Sequence, residues 1–507
     1  MTAARAEPGT MRMGTPAAWW VLFTTVLGSG LAMLDATVVN VALERIGREL
    51  GADFSGLQWT INAYTLTLAA LILLGGSLGD RFGRRRVFVV GVVWFAAASL
   101  LCGLAQNIEM LVAARALQGV GGALLTPGSL AIISASFHGA DRAAAVGAWS
   151  GLGGVAGAVG PFLGGWLVEW SWRAVFLVNL PVAALIVAVA ARHVPESRDP
   201  DSAPHLDLAG TVLAVAGLSG LTYALTAAGQ VGASVEVIGS GAVGVVALVV
   251  VVLVERRSTH PLVPTKLFGN AQFGAANAVT LLVYAALGVL FVLLVLQLQV
   301  VSGFSPLLAG TALLPVTAIM LLFSAQVGAL AQRIGPRIPL TIGSLVSAAG
   351  LLLMLRIGPG ASYVLDVLPP VVVFGAGLAL TVAPLTATVL NAAPDRYAGT
   401  ASGVNNAVAR AAGLLAVAVI PAAAGISGDD YTDPLAFSSG FRAALLISSG
   451  LLIASTLAAF TLIRRPLMAP EPGEAQPPPK RVRVEQCMHC GVTGPQVHPR
   501  EPEGRSQ

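Results

Sequence analysis

The sequence predicts an all-α polytopic membrane protein of about fourteen transmembrane helices, built as two six-helix bundles in parallel pseudo-repeat plus two inserted helices. Three observations lead there. The 507-residue chain is 55% hydrophobic and 11% charged, against about 25% charged residues in a soluble domain. Apolar stretches of about twenty residues, long enough to span a bilayer as a helix, recur from Trp19 to Ile463. A charged turn motif then returns 252 residues later: Gly76-Ser-Leu-Gly-Asp-Arg-Phe-Gly-Arg-Arg85 aligns without gaps on Gly328-Ala-Leu-Ala-Gln-Arg-Ile-Gly-Pro-Arg337.

Charges and Gly/Pro clusters divide the apolar stretches into successive spans. The first six are 18–42, 56–78, 87–105, 109–133, 144–168 and 174–191. Two follow at 208–228 and 236–254, and the last six at 274–298, 307–330, 338–357, 364–388, 400–424 and 441–463. Both motif copies follow the second helix of a six-helix block. A block occupies about 190 residues, so the 252-residue offset leaves roughly sixty, which the two extra spans account for. The chain therefore divides into a leading segment 1–17, a bundle 18–192, an inserted pair with its loops 193–270, a second bundle 271–463 and a tail 464–507. Parallel six-helix repeats around a central cavity are a transporter arrangement.

Orientation follows from the cations. With the N-terminus inside, the inner set is Arg5, Arg12, Arg81, Arg84, Arg85, Arg86, Arg142, Arg192, Arg198, Arg256, Arg257, Lys266, Arg333, Arg337, Arg396, Arg464 and Arg465. The outer set is Arg45, Arg48, Arg173, Arg356 and Arg442. Seventeen against five places both termini in the cytoplasm of a cell membrane. The opening "MTAARAEPGTMRMG" has no cleavage site ahead of the first span, which reads as a retained helix and not a signal peptide. Abundant Arg, Ala and Gly beside only two lysines suggest a GC-rich bacterial genome.

Several function classes are excluded or disfavoured. The net charge of +4 sits in short loops and is no nucleic-acid signal. No G-x-x-x-x-G-K-[ST] occurs, which argues against an ATP-driven pump in this chain. The six histidines fall in loops or the tail, so no intramembrane catalytic cluster forms and an enzyme is not expected. Three cysteines make no disulfide framework. In the tail, Cys487, His489, Cys490 and His498 offer one C-x-x-C, but the flanking "PEPGEAQPPPKRVRVE" has a composition that stays disordered, and no metal is expected there.

Five stretches carry a family likeness: "LDATVVNVAL" in the first helix, "LQWTINAYTLTLAALILLGGSLGDRFGRRR" through the second, "RALQGVGGALLTPGSLAII" in the fourth, "GLGGVAGAVGPFLGG" in the fifth and "WSWRAVFLVNLP" entering the sixth. In this order and spacing the chain resembles the major facilitator superfamily, specifically its fourteen-helix drug:proton antiporter family, over residues 18–463. The resemblance implies export of small lipophilic compounds in exchange for protons, by alternating access, with no cofactor and no obligate protein partner, by a chain working as a monomer. A proton-driven transporter of one endogenous metabolite is the rival.

Around the charged turn, Gly76 and Gly83 permit a tight bend, and Arg81, Arg84, Arg85 and Arg86 anchor it on one membrane face. Asp80 is the odd sign there. Either the loop only enforces topology, or Asp80 latches a helix N-terminus or an arginine in one state and frees it in another; the resemblance implies the latch. Gln332 replaces the acid in the second copy. In the fifth span Gly157, Gly160, Gly164 and Gly165 surround Pro161. Small residues allow close backbone packing and the proline a bend. That the stretch marks an antiporter is implied by the resemblance alone.

On this span assignment Asp35 is the one carboxylate well inside a helix, and Arg115 and Arg410 are internal cations. Asp35 lies about eight residues, and Arg115 about six, from the outer ends of their spans, so both sit roughly 10 Å deep at 1.5 Å per residue. Thr24, Gly28 and Ala32 share the face of Asp35 by helical periodicity, and Gln118 stands one turn from Arg115. A charge at such depth costs about 3 kcal/mol on insertion scales, and buried ion pairs are poor stabilisers. Asp35 and Arg115 form either a static pair or a proton-coupling site. Burial favours the neutral acid and a neighbouring guanidinium the carboxylate, so separating them would let Asp35 take a proton outside and release it inside. Arg410 reads as interior hydrogen bonding or as gating. Asn40, Trp59, Asn62, Tyr64, Gln118, Asn277, Tyr284, Gln297 and Gln299 are the polar and aromatic candidates for a substrate cavity. A single deep acid favours neutral or cationic cargo over anions.

Overall fold

The structure is a computed structural model that describes residues 11–198, 208–232, 234–257, 267–393, 398–428 and 430–464. Fourteen long helical rods run through the described residues: α1 (Pro16–Leu50), α2 (Phe54–Phe82), α3 (Arg84–Gly103), α4 (Ile108–Ser136), α5 (Gly139–Trp170), α6 (Ala174–His193), α7 (Leu208–Val231), α8 (Val235–Arg257), α9 (Ala271–Val301), α10 (Pro306–Ile334), α11 (Arg337–Arg356), α12 (Tyr363–Asn391), α13 (Ala398–Ala423) and α14 (Pro434–Leu462). All but the glycine-rich α5 stand out as long and apolar enough to cross a membrane, and α5 is 32 residues long. The Cys487–His498 segment lies outside the described residues.

Local chemistry sets the ends. Thr15 caps α1 through its hydroxyl ahead of Pro16, and Asp53 and Asn107 cap α2 and α4 in the same way. Two rods differ from the expected spans for a capping reason. The last begins at Pro434 and not near 441, because Asp433 accepts from the Leu435 and Ala436 amides and the proline follows at the first turn. The first runs on to Leu50, carried past its apolar stretch by the pairs Arg48–Glu44 and Arg45–Glu49 and closed by Gly51 at φ 62°.

Packing repeats with an offset of eight rods. In the first block α4 lies on α2 and α3, α1 on α5, and α6 on α1 and α3; in the last, α12 lies on α10 and α11, α9 on α13, and α14 on α9 and α11. The duplicated turn repeats in backbone as well as in sequence: Gly83 and Gly335 both take positive φ, 113° and 85°. The inserted pair α7–α8 packs together, with α7 against α2 and α13.

Between the two blocks, α5 packs against α10, α2 against α13 and α1 against α9. Their polar contacts gather at the end where α1 terminates. There the Phe54 amide donates to the Gly428 carbonyl at 2.9 Å, the Tyr431 hydroxyl to the Ala52 carbonyl at 2.7 Å and Gln299 Nε2 to the Val41 carbonyl at 3.0 Å. Gln299 sits in a short π-helical turn, Gln297–Val301, that ends α9; such turns re-aim side chains.

Candidate functional site: a closed polar network in the first block

Asp35 is buried with 0% exposure, on an α1 strip whose other members, Thr24, Gly28 and Ala32, are buried too. Arg115 arrives from α4, 1% exposed, and its Nη1 donates to Asp35 Oδ2 at 2.5 Å and to Gln118 Oε1 at 2.6 Å. Its Nε donates to the Thr60 carbonyl of α2 at 3.0 Å. The second carboxylate oxygen, Oδ1, accepts from Gln118 Nε2 at 2.8 Å and from Asn179 Nδ2 at 3.0 Å. Ser99 Oγ of α3 in turn accepts from both amides, at 2.7 and 3.2 Å. The guanidinium lies 4.3 Å from the Tyr64 ring centre and 5.8 Å from that of Phe176. Every polar contact of the carboxylate is thus made inside the first block.

Asn179 and Ser99 are not among the residues expected from the sequence. Each is one small polar residue in an apolar span, a weak signal alone. Asn179 had a second one: it lies near the end of "WSWRAVFLVNLP", where α6 breaks after a four-residue first turn and restarts.

The glycine motif flanks this network. A Cβ on Gly160 would strike Thr37 Oγ1, and one on Gly164 would lie 3.0 Å from Val38 Cα, so α5 presses on α1 one turn beyond Asp35. On the other side of α5, a Cβ on Gly165 would lie 2.7 Å from Leu307 Cα, and Gly310 abuts the Pro161 carbonyl. The surroundings of Gly157 lie outside what is described.

In the charged turn, Arg84 pairs with Asp80 at 2.7 Å, within the motif itself. The partner from elsewhere is Glu196, just past α6. It accepts from the Arg85 amide at 3.1 Å, stands 3.7 Å from both Arg85 and Arg86, and closes over Gly83 so that a Cβ there would meet its carboxylate at 2.7 Å. Arg81 stacks on Phe82 at 5.4 Å, and Gly76 faces Pro127. Glu196 was unmarked in the sequence because it follows a span end, where acids are ordinary.

The remaining cavity candidates scatter. Gln118 and Tyr64 belong to the closed network. Trp59 turns away toward Tyr223 of α7, with ring centres 6.5 Å apart, because the inserted pair covers that flank of α2. Gln297 is spent inside the second block, on the Ile357 carbonyl at 3.1 Å and Ser438. Asn277 donates to the Phe273 carbonyl and its Oδ1 is unpartnered. Asn40 Oδ1, both amide atoms of Asn62 and Arg410 Nε are buried without a hydrogen-bond partner. Tyr284 is half-buried on α9. Among the described residues no group of His, Cys, Asp and Glu could hold a metal ion.

Comparison with known proteins agrees with this architecture. The model of the Major Facilitator Superfamily matches residues 25–417. The chain is 35% identical to the puromycin resistance protein pur8 of Streptomyces alboniger, across 95% of this chain and 99% of that one. It is 36% identical to the multidrug resistance protein Stp of Mycobacterium tuberculosis, across 76% and 72%. With the tetracenomycin C resistance and export protein of Streptomyces glaucescens it shares 33% identity across 82% and 77%. Among solved structures, a bacterial homologue of the human lysosomal transporter Spinster, in an inward-facing and unoccupied conformation, superposes with a TM-score of 0.64 at 17% identity, across 89% of this chain and 98% of that one; at that identity the likeness is one of fold. The chain belongs to the Major Facilitator Superfamily, as a multi-pass membrane transporter and not an enzyme, beside relatives named for antibiotic resistance and export.

Proposed function

We propose that this chain exports small amphipathic organic compounds from the cell in exchange for inward-moving protons, by alternating access. The carrying observation is the fully enclosed carboxylate of Asp35, held by Arg115, Gln118 and Asn179 in an otherwise apolar bundle. An ion pair at this depth stabilises a fold less than apolar packing of the same volume, so its use lies in a second state. All three donors point at the carboxylate oxygens. Motion of α1 against α4 and α6 strips them away and leaves a desolvated acid that takes up a proton; their return expels it.

Lys/Arg asymmetry supports cytoplasmic termini, which puts the Leu50 end of α1 outside. The inter-block bonds at Ala52, Phe54 and Gln299 then close the outer entrance, a state that receives cargo from the cytoplasm. Relatives named for multidrug resistance support drugs as the cargo. The expectation of neutral or cationic cargo needs an acid within reach; Asp35 is wholly enclosed in this state, so that preference rests on the state in which the network opens. A second reading, transport of one metabolite, is favoured by the relative named for tetracenomycin C alone.

The test uses everted membrane vesicles carrying a proton gradient. Adding transported antibiotics or dyes should dissipate the gradient, and Asp35→Asn should abolish that response. Normal transport and normal coupling in Asp35→Asn would overturn the proposal, as would uptake that follows ATP and ignores the gradient.

A further inference from the structure

The Asp35–Arg115 network is self-sufficient in charge, whereas the other internal cation is not. None of the ion pairs among the described residues includes Arg410. Among the described residues, the charged or titratable neighbours of Arg410 are two tyrosines, Tyr64 and Tyr284. Its Nε is shut in without a hydrogen-bond partner.

Two contacts fix where it points. Gln58 Nε2 of α2 donates to the Val417 carbonyl of α13 at 2.7 Å. Fifteen residues along α2, Leu73 stands 3.4 Å from a Cβ built on Gly403. The two helices therefore run antiparallel, side by side. Gly403, Arg410 and Val417 are seven apart and share one face of α13. Arg410 thus leaves the second block toward α2, level with Thr65 and Leu66 and beside Tyr64. Asn62, one turn from Gln58 on the same α2 face, is buried with both amide atoms unpartnered. On its other flank α13 meets α9, where Thr280 donates to Asn405 Oδ1 at 2.8 Å and Gly288 abuts Gly413. Tyr284 stands between those two α9 contacts, level with Arg410.

A part-buried guanidinium whose Nε lacks a partner is poorly satisfied without an anion, and a fork of N–H donors matches a carboxylate or phenolate oxygen. We propose that Arg410, with Asn62 and Tyr284, anchors the cargo between the two blocks, and that the cargo carries an organic oxyanion. The inference rests on the exporter reading above and reverses the charge preference expected from the sequence: the free charge between the blocks is positive.

A matched pair of xanthene dyes tests it: fluorescein, an oxyanion, and rhodamine 6G, an esterified cation on the same ring system. Binding is read by fluorescence anisotropy on the full chain in lipid nanodiscs. Fluorescein should bind the unaltered protein, and benzoate should displace it while leaving rhodamine 6G in place. Arg410→Gln should weaken fluorescein at least tenfold and Arg410→Lys no more than about threefold, with rhodamine 6G unchanged in both. Absence of fluorescein binding, indifference to benzoate, or equal fluorescein affinity in Arg410→Gln would each overturn the proposal. Benzoate competition needs no variant, so it tests the site even if Arg410→Gln misfolds. Gradient dissipation by rhodamine 6G in vesicles of the unaltered protein is measured in parallel. If that persists while fluorescein fails to bind, the oxyanion site is wrong and the exporter reading stands.

Discussion

The Arg115 guanidinium lies 4.3 Å from the centre of the Tyr64 ring, and the Tyr64 hydroxyl donates to the Ala32 carbonyl at 3.2 Å. One side chain of α2 therefore touches α4 through its face and α1 through its tip, less than a turn from Asp35. The same tyrosine interacts electrostatically with Asp35, Arg115 and, from the second block, Arg410. Tyr64 thus stands beside the enclosed acid on the helix that packs against α13 of the second block. A ring under a cation in a dry interior contributes about 2 kcal/mol, comparable to the hydrogen bonds around it.

That geometry separates two substitutions. Tyr64→Phe keeps the ring beneath Arg115 and removes only the bond to Ala32, so it should cost about 1 kcal/mol of stability and leave gradient-driven transport within about threefold. Tyr64→Leu removes the ring, loosens Arg115 and should lower transport at least tenfold. Thermal unfolding and gradient dissipation in everted vesicles check both. Equal transport in the two variants would remove Tyr64 from the coupling route.

Fourteen helices, their order and the duplicated turn were legible in the sequence because bilayer thickness and helical rise act on every segment alike. Asp35 and Arg115 were legible for the same reason in reverse, since charge inside a span is rare enough to name itself. Asn179, Ser99 and Glu196 were not. Their residue types are ordinary where they stand, and only the fold brings α3 and α6 to the Asp35 carboxylate, or the segment after α6 to Gly83. An aromatic near a span end such as Trp59 fits a cavity and a flank equally well, and its contact with α7 is made 164 residues away. The substrate's charge is not legible in composition at all: composition counts an acid, but enclosure determines when anything can reach it.

Glu196 holds the charged turn against the end of α6, and the strength of that hold can be read by protease. Removing it in Glu196→Ala frees the Arg85 amide and the Arg86 guanidinium and leaves Arg85 only its bond to the Val194 carbonyl; such pairs at part-exposed sites contribute about 1 kcal/mol or less each. The turn should open more often, so trypsin should cleave after Arg84, Arg85 or Arg86 severalfold faster in inside-out vesicles, while Asp80→Asn, which disturbs only the pair with Arg84, should have a smaller effect. Unchanged cleavage in Glu196→Ala would mean the turn is held by backbone bonds to the segment after α6, such as the Arg84 amide to the Ser197 carbonyl at 2.9 Å.

Helix α5 meets the backbone of α1 at Gly164, where a Cβ would stand 3.0 Å from Val38 Cα and 3.1 Å from the Val38 carbonyl oxygen. Backbone atoms cannot rotate aside as a side chain would, so any larger residue there must push α1 away from α5. Val38 is three residues beyond Asp35, which makes α1 the shared wall of the glycine contact and the acid. Gly164→Val should therefore destabilise the protein by about 1–3 kcal/mol and also cut proton-coupled transport at least tenfold. Gly147, whose Cβ would meet nothing within 4 Å, is the control on the same helix: Gly147→Ala should transport normally. Thermal unfolding measured beside gradient dissipation separates the two effects. A Gly164→Val protein that melts early yet transports at the normal rate would show that α5 supports α1 without setting the position of Asp35.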